Sequence, residues 1–536
     1  MVEESENAAA SGGRGASVAR HAGTVSLWTM LSRVAGLVRD TIFAHLFGAN
    51  HMTDAFLMAF TIPNTFRMLV AEGSLTVAFL PVFNEAQKKG GDTDARRVMA
   101  QALAVFPVLS VALVILCILA AEPIVRVFAS GYLSVPGKFE LTLFLTRVMF
   151  PFMALISMVA LAMGALNARK RFASSAAAPA LFNVIHILSM VTLARFIDPP
   201  MLGVAIGVLV GGTAQFLLQF TALKRAGLLV RPSLTFGPEV RRILWLMLPA
   251  IAALAVYQIN IAALRLFTSY LGEGALTYLY NADRFLQLPL GVFAIAIATA
   301  SLPAFSDAHT ANDRRGLLDA YVQSIRLTSF ITVPAAVGQV ALSLPIIATV
   351  FQHGRFDATM AANTATALVA FNVGLVAISG IRVTGQVFFA IKDTRTPVAC
   401  GAIGLFANLA MAPLLAGVIG FAGLALSVSL SAWGQLAVQL VFLRRRVGPI
   451  GMRRILVGLI RDLSAAATMG VVIHLLSQHL GSWNRGTTMA NAAVLIGVVA
   501  FGAIVYGGLQ AAFRSPEMSL LWRALRRRVG SRPKAA

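Results

Sequence analysis

SRVAGLVRD, Ser32 to Asp40, sets two arginines and an aspartate inside a stretch that otherwise reads as membrane-spanning helix. At ~100° per residue, Ser32, Arg33, Arg39 and Asp40 fall within an arc of about 120°, while Val34, Leu37, Val38 and Thr41 cover the rest of the surface. One face of this helix is therefore expected to look onto something wet or charged. The surrounding composition sets the class. The 536 residues are 58% hydrophobic and only 12% charged, with a mean hydropathy of +0.78, against roughly 25% charged in an average soluble domain. Apolar runs of about 20 residues, long enough to cross a bilayer, recur along nearly the whole chain. The expected fold is an all-α polytopic membrane protein of about fourteen transmembrane helices.

The spans read as 24–48, 52–82, 98–121, 141–167, 177–197, 201–223, 243–270, 275–305, 319–344, 362–391, 397–416, 421–443, 455–480 and 488–513. Pro63, Pro151 and Pro289 remove backbone donors inside three of them and predict kinks. The first span is long and broken by arginines, so it reads as a retained helix and not a cleaved signal peptide. The net charge of +22 would suggest nucleic acid in a soluble protein. Here the Lys and Arg residues gather in alternate connections, at Lys88–Arg97, Arg169–Arg171, Lys224–Arg242, Arg314–Arg315, Lys392–Arg395 and Arg444–Arg454, whereas the connections at 49–51, 198–200, 271–274 and 417–420 have none. That alternation predicts cytoplasmic termini and argues against a nucleic-acid partner.

A weak repeat divides the chain. AFLPVFNEA, Ala78 to Ala86, matches ASLPAFSDA, Ala300 to Ala308, at an offset of 222, and LNARKRF, Leu166 to Phe172, parallels AIKDTRTP, Ala390 to Pro397. Six helices per repeat predict two parallel lobes in a pseudo-two-fold arrangement, with two C-terminal helices left over.

Ionised groups in a bilayer are costly and usually face a bundle interior or aqueous cavity. The candidate substrate-binding residues are Arg33, Arg39, Arg67, Arg284 and Arg382; Arg147, Arg265 and Arg326 are further basic groups in apolar surroundings. Asp40, Asp54, Glu72 and Asp283 are candidate gating or ion-pair residues, and the acids have a plainer reading as pairs that lock helices together. Cations outnumber acids, and arginine's planar fork suits phosphate oxygens, so the expected ligand is an anion such as a pyrophosphate. No catalytic constellation stands out. The eight histidines are scattered, no P-loop lysine motif occurs, and Cys117 and Cys400 lack metal-ligand spacing, so no metal, cofactor or enzymatic reaction is expected. The Gly- and Ala-rich stretches Ala173 to Ala180 and Gly203 to Gly212 read as close helix packing.

At SRVAGLVRD, TDAFLMAFTIPNTFRMLVAEG, NADRFLQLPLGVF, FQHGRFD and KDTRTPV the chain resembles the MurJ (MviN) lipid II flippase family of the multidrug/oligosaccharidyl-lipid/polysaccharide exporter superfamily. The resemblance implies a cytoplasmic tail (1–23), an N-lobe of helices 1–6 (24–225), a C-lobe of helices 7–12 (240–445), helices 13 and 14 (453–513) as a groove for a polyprenyl tail, and a basic cytoplasmic tail (514–536). It implies a cationic cavity lined by Arg33, Arg39, Asp40, Asp54, Arg67, Glu72 and Arg284, with Arg382 where some relatives have lysine. The implied cargo is lipid II, an undecaprenyl-pyrophosphate glycopeptide used in peptidoglycan synthesis, and the implied setting is the bacterial inner membrane with its lipids and cell-wall synthesis proteins. Some relatives are thought to hold sodium through acidic groups; here helix 7 has no acid before Glu273 and helix 11 offers Asn408 but no carboxylate. Export of another polyprenyl-linked oligosaccharide, or a non-transport cell-wall scaffold, is the alternative.

Overall fold

The computed structural model describes residues 27–481, 483 and 489–519, with the side chains of Ala71, Glu72 and Ala253 excepted. The expected tail 1–23 lies outside these residues, as does most of the tail from 514. All regular structure among the described residues is helical. Nine helices are long and apolar enough to cross a membrane, or twelve if each of three bent pairs is one span. Residues His51–Leu119 count once in that total although Gly90 and Gly91 leave the helical conformation midway. Separating them there, and adding the helix at 27–47, is consistent with the fourteen expected.

The chain forms two compact units, one of residues up to Phe43 together with Asn50–Tyr270, the other of Ala44–Ala49 and the residues from Leu271 onward. Sequence placed residue 240 onward in the second lobe. By packing, the helix Pro238–Ser269 joins the first unit, against Met68–Leu75 and Thr76–Leu119. Conversely, the end of helix 27–47 joins the second: the Arg355 N–H donates to His45 O at 2.9 Å, and the Ala49 N–H lies 3.3 Å from the Met360 sulfur. FQHGRFD is shaped by this contact. A Cβ on Gly354, whose φ is +57°, would sit 2.4 Å from His45 O, so only glycine fits.

Within the units the repeat is carried by helix irregularities. His51–Arg67, the π-helical turn Met68–Leu75 and Thr76–Leu119 parallel Ala275–Pro289, the π-helical turn Leu290–Ala294 and Ile295–Thr310. A π-helical turn follows Pro63 by a few residues, whereas Pro289 abuts its π turn and Pro151 opens a fresh helix after a break at Phe150. Lys138–Met149 and Pro151–Ala168 parallel Ala358–Asn372 and Leu375–Ala390, the latter pair bent by 40°.

The turn after each of those broken spans repeats atom for atom. Lys170 and Lys392, 222 residues apart, both adopt left-handed backbone, with φ of 59° and 62°. Around them Arg171 N–H donates to Leu166 O, and Asp393 N–H to Phe388 O, at 2.9 and 2.8 Å. These are the closing bonds of a Schellman turn, here built on lysine where glycine is usual. The next helices begin at Ala173 and Arg395, again 222 apart.

Small residues then set the packing of Ala173–Val191 on Pro200–Arg225. A Cβ on Gly207 would come within 2.2 Å of Ser189 Oγ, so the helices approach closely there, as the composition led us to expect.

Candidate functional site

In the first unit, helix 27–47 turns part of its charged arc toward the protein. Val34 and Val38 are 57% and 45% exposed, while Asp40 is buried. Arg39 donates through Nε and Nη2 to Asp40 Oδ1 at 3.0 and 2.7 Å, and through Nη1 to Asn183 Oδ1 at 3.1 Å. Asn183 Nδ2 in turn donates to Ser32 O at 3.1 Å. Arg39 is therefore braced by protein groups on two helices.

Arg33 differs. It is exposed, has no carboxylate partner among the described residues, and lines a cavity of about 320 Å³ with Thr29, Ser32, Asn167, Phe172, Ser175 and Pro179. A cation presented to a cavity within apolar helices is fit to bind an anion.

Asp54 sits in the first turn of His51–Arg67, whose start is fixed by Asn50 accepting the N–H groups of Met52 and Thr53. Its partner is Lys138, whose Nζ lies 3.0 Å from Asp54 Oδ2 with both side chains at most 3% exposed. The Lys138 Nζ also stands 4.2 Å over the Tyr132 ring. Sequence reasoning missed Lys138, which reads as a loop lysine; the signal was Gly137, whose φ of +74° turns the chain so that the next residue points inward. Arg67 donates to Asn64 Oδ1 at 2.9 Å. The Glu72 side chain lies outside the described residues. Arg147 is exposed and Arg265 half-buried.

In the second unit the Arg284 guanidinium lies 4.6 Å over the Tyr280 ring and donates to that residue's hydroxyl one helical turn away. Asp283, beside it, is half-buried. Arg382 is exposed on a cavity of about 270 Å³, with Gln386, Gln435 and Gln439 among its polar lining.

Arg326 belongs to a cluster that sequence reasoning did not find. Its Nε lies 2.7 Å from Glu517 Oε1, while Glu517 also pairs with Arg461. Asp462, fully buried, accepts from Ser329 Oγ at 2.8 Å and Gln510 Nε2 at 2.9 Å. The charges are paired within the cluster, joining Arg314–Ala341, Met452–Leu480, Met489–Ala512 and the residues after them. Among the described residues no group of three or more His, Cys, Asp or Glu is placed to hold a metal.

Residues 43–494 match the family model described as lipid II flippase MurJ. A probable lipid II flippase MurJ of Vibrio cholerae is 36% identical over 422 residues, covering 77% of this chain and 80% of that protein. A lipid II flippase MurJ of Burkholderia cenocepacia is 36% identical over 436 residues, covering 79% and 83%. A solved structure of lipid II flippase MurJ in an inward closed conformation superposes with a TM-score of 0.76 at 26% identity, covering 91% of this chain and 98% of that one. An inward-facing multidrug MATE transporter of the MOP superfamily shares the fold at a TM-score of 0.66 and 17% identity, covering 80% of this chain and 98% of its own. With the fold and the repeat, these matches make the chain a multi-pass membrane transporter, and it belongs to the lipid II flippase MurJ family.

Proposed function

We propose that this chain moves lipid II from the cytoplasmic to the periplasmic leaflet of the inner membrane by alternating access, and catalyses no covalent step. Family membership supplies the substrate class, and the observation that carries the reading is Arg33, a cation without a carboxylate partner among the described residues, facing a cavity inside membrane-spanning helices. Arg33, Arg39, Arg67, Arg284 and Arg382 engage the pyrophosphate in this reading, with Asp40, Asp54, Glu72 and Asp283 as gating or ion-pair groups. Two six-helix lobes carry the headgroup, and helices 13 and 14 take the polyprenyl tail. Both termini are cytoplasmic in this reading, which the alternation of basic loops supports. Membrane potential is a natural driver, because one charge crossing 100 mV is worth about 2.3 kcal/mol. Membrane lipids surround the protein, and cell-wall synthesis proteins are its proposed neighbours.

The test is replacement of the resident flippase of a bacterium by this chain, followed by measurement of lipid II reaching the outer leaflet with a lipid II-cleaving enzyme added from outside. The expected result is restored cleavage by the natural chain, lost with Arg33→Glu or Arg284→Glu at normal protein levels. Lipid II that stays inside with the natural chain overturns the proposal, and so does cleavage undiminished by both charge reversals, which is what a scaffold would give.

A further inference from the structure

The two copies of the lysine turn differ at one position that matters. In the second unit, Asp393 follows the turn lysine; its Oδ1 accepts the Thr396 N–H at 3.0 Å, its Oδ2 accepts the Thr396 hydroxyl at 2.7 Å, and Arg446 Nη2 stands 3.4 Å away. The start of helix Arg395–Ile419 thus receives a negative charge from its own chain. The residue 222 positions earlier is Arg171. No side chain caps the helix Ala173–Val191, and among the described residues no carboxylate pairs with Lys170, Arg171, Lys224 or Arg225. A second, independent observation points the same way: Ser175, in the first turn of that helix, is 7% exposed, its Oγ has no hydrogen-bond partner, and it lines the cavity that Arg33 faces. On the other side of Phe172, which lines both spaces, a second cavity of about 490 Å³ is bordered by Lys170, Arg171 and Arg225.

We propose that the start of helix Ala173–Val191 is a phosphate site, at which the Ser175 hydroxyl, the first backbone N–H groups of the helix and Arg33 take the anionic place that Asp393 fills in the other repeat, with Lys170, Arg171 and Arg225 drawing the ligand in. Helix starts offer unsatisfied N–H groups and a positive dipole end, which suit phosphate, and a serine hydroxyl donates to a phosphate oxygen with charge-assisted strength. The ligand is a phosphate carried on a lipid. This rests on the flippase reading and adds to it a capture site for the cargo's pyrophosphate beyond the arginines themselves.

The full-length protein is purified in detergent and titrated with undecaprenyl pyrophosphate, with binding read by native mass spectrometry. Ser175→Ala, which removes one oxygen, is expected to weaken binding about tenfold. Arg171→Asp, which installs the acid of the other repeat, is expected to weaken it by more than tenfold. If Arg171→Asp fails to fold, Ser175→Ala decides alone. Loss with Arg33→Ala but unchanged binding in Ser175→Ala overturns the phosphate site and leaves the flippase reading standing. Undiminished binding in all three variants, Arg33→Ala included, overturns both. Phosphatidylglycerol is the competing probe: failure to displace the pyrophosphate lipid at equal concentration supports cargo capture. Ser175-dependent displacement supports the phosphate site but overturns its assignment to cargo in favour of a phospholipid headgroup.

Discussion

The turn at Leu166–Ala173 and the turn at Phe388–Arg395 share a backbone down to the left-handed lysine, yet one is electrically finished and the other is not. Asp393 closes its copy with Thr396 and Arg446, while Arg171, which donates to Arg225 O at 3.3 Å, occupies the matching place with no carboxylate partner among the described residues. A duplicated scaffold keeps its hydrogen bonds because each copy must close the carbonyl end of its own helix. Its charges are free to diverge, and a charge without a partner in the protein marks where a ligand can supply one.

That contrast can be attacked first where compensation is complete and buried. Lys138→Met removes the buried cation beside the Asp54 carboxylate, and unfolding should lose about 3–5 kcal/mol, largely recovered in Lys138→Met with Asp54→Leu; equal losses in single and double variants would mean that packing, not charge, matters there. Next, Glu517→Gln removes the acid shared by Arg326 and Arg461, and should lower stability by about 1.5–3 kcal/mol while leaving binding of undecaprenyl pyrophosphate unchanged. A binding defect would show that the internally paired cluster also serves the ligand. Asp393→Ala removes the cap of the finished turn and should lose about 1 kcal/mol in thermal unfolding.

The same residue gives a pH dependence of known sign. The Thr396 hydroxyl, then its N–H and the Arg446 guanidinium, hold the Asp393 carboxyl below the usual aspartate range. Its contribution is therefore present above a pH of about 4 and lost as the pH falls through the lowered value. Asp393→Asn should flatten that acid limb, seen by comparing unfolding of the two proteins between pH 3 and 6. The smallest effect tests what the copies share: Lys170→Gly and Lys392→Gly should each raise stability by about 0.5–1 kcal/mol, and equally, because each relieves the same left-handed conformation.

Much of this architecture is legible in the sequence, because hydropathy and loop charge are local signals that a bilayer makes strict. AFLPVFNEA and ASLPAFSDA announce the duplication, and the arc of Arg33, Arg39 and Asp40 announces a charged helix face. The π-helical turns are not legible: Pro63 locates a weakness, but where the extra residue settles depends on packing that the motif does not contain. The partners of charges are similarly hidden, since Lys138 reaches Asp54 across 84 residues and Glu517 reaches Arg461 across 56. Ser175 was hidden differently. Its neighbours are alanines, so the stretch reads as packing, and only the orphaned hydroxyl beside a cavity sets it apart.

The end of helix 27–47 makes its contacts far along the chain: Ala49 meets Met360 across 311 residues. A ribosome delivers about 5–20 residues per second, so the first helix enters the membrane about 15–60 s before its last turn can find its seat. During that interval the apolar end at Phe43–Ala49 is without the backbone and sulfur contacts that later fix it, and residues near Arg355 become the last stitch of the earliest segment made.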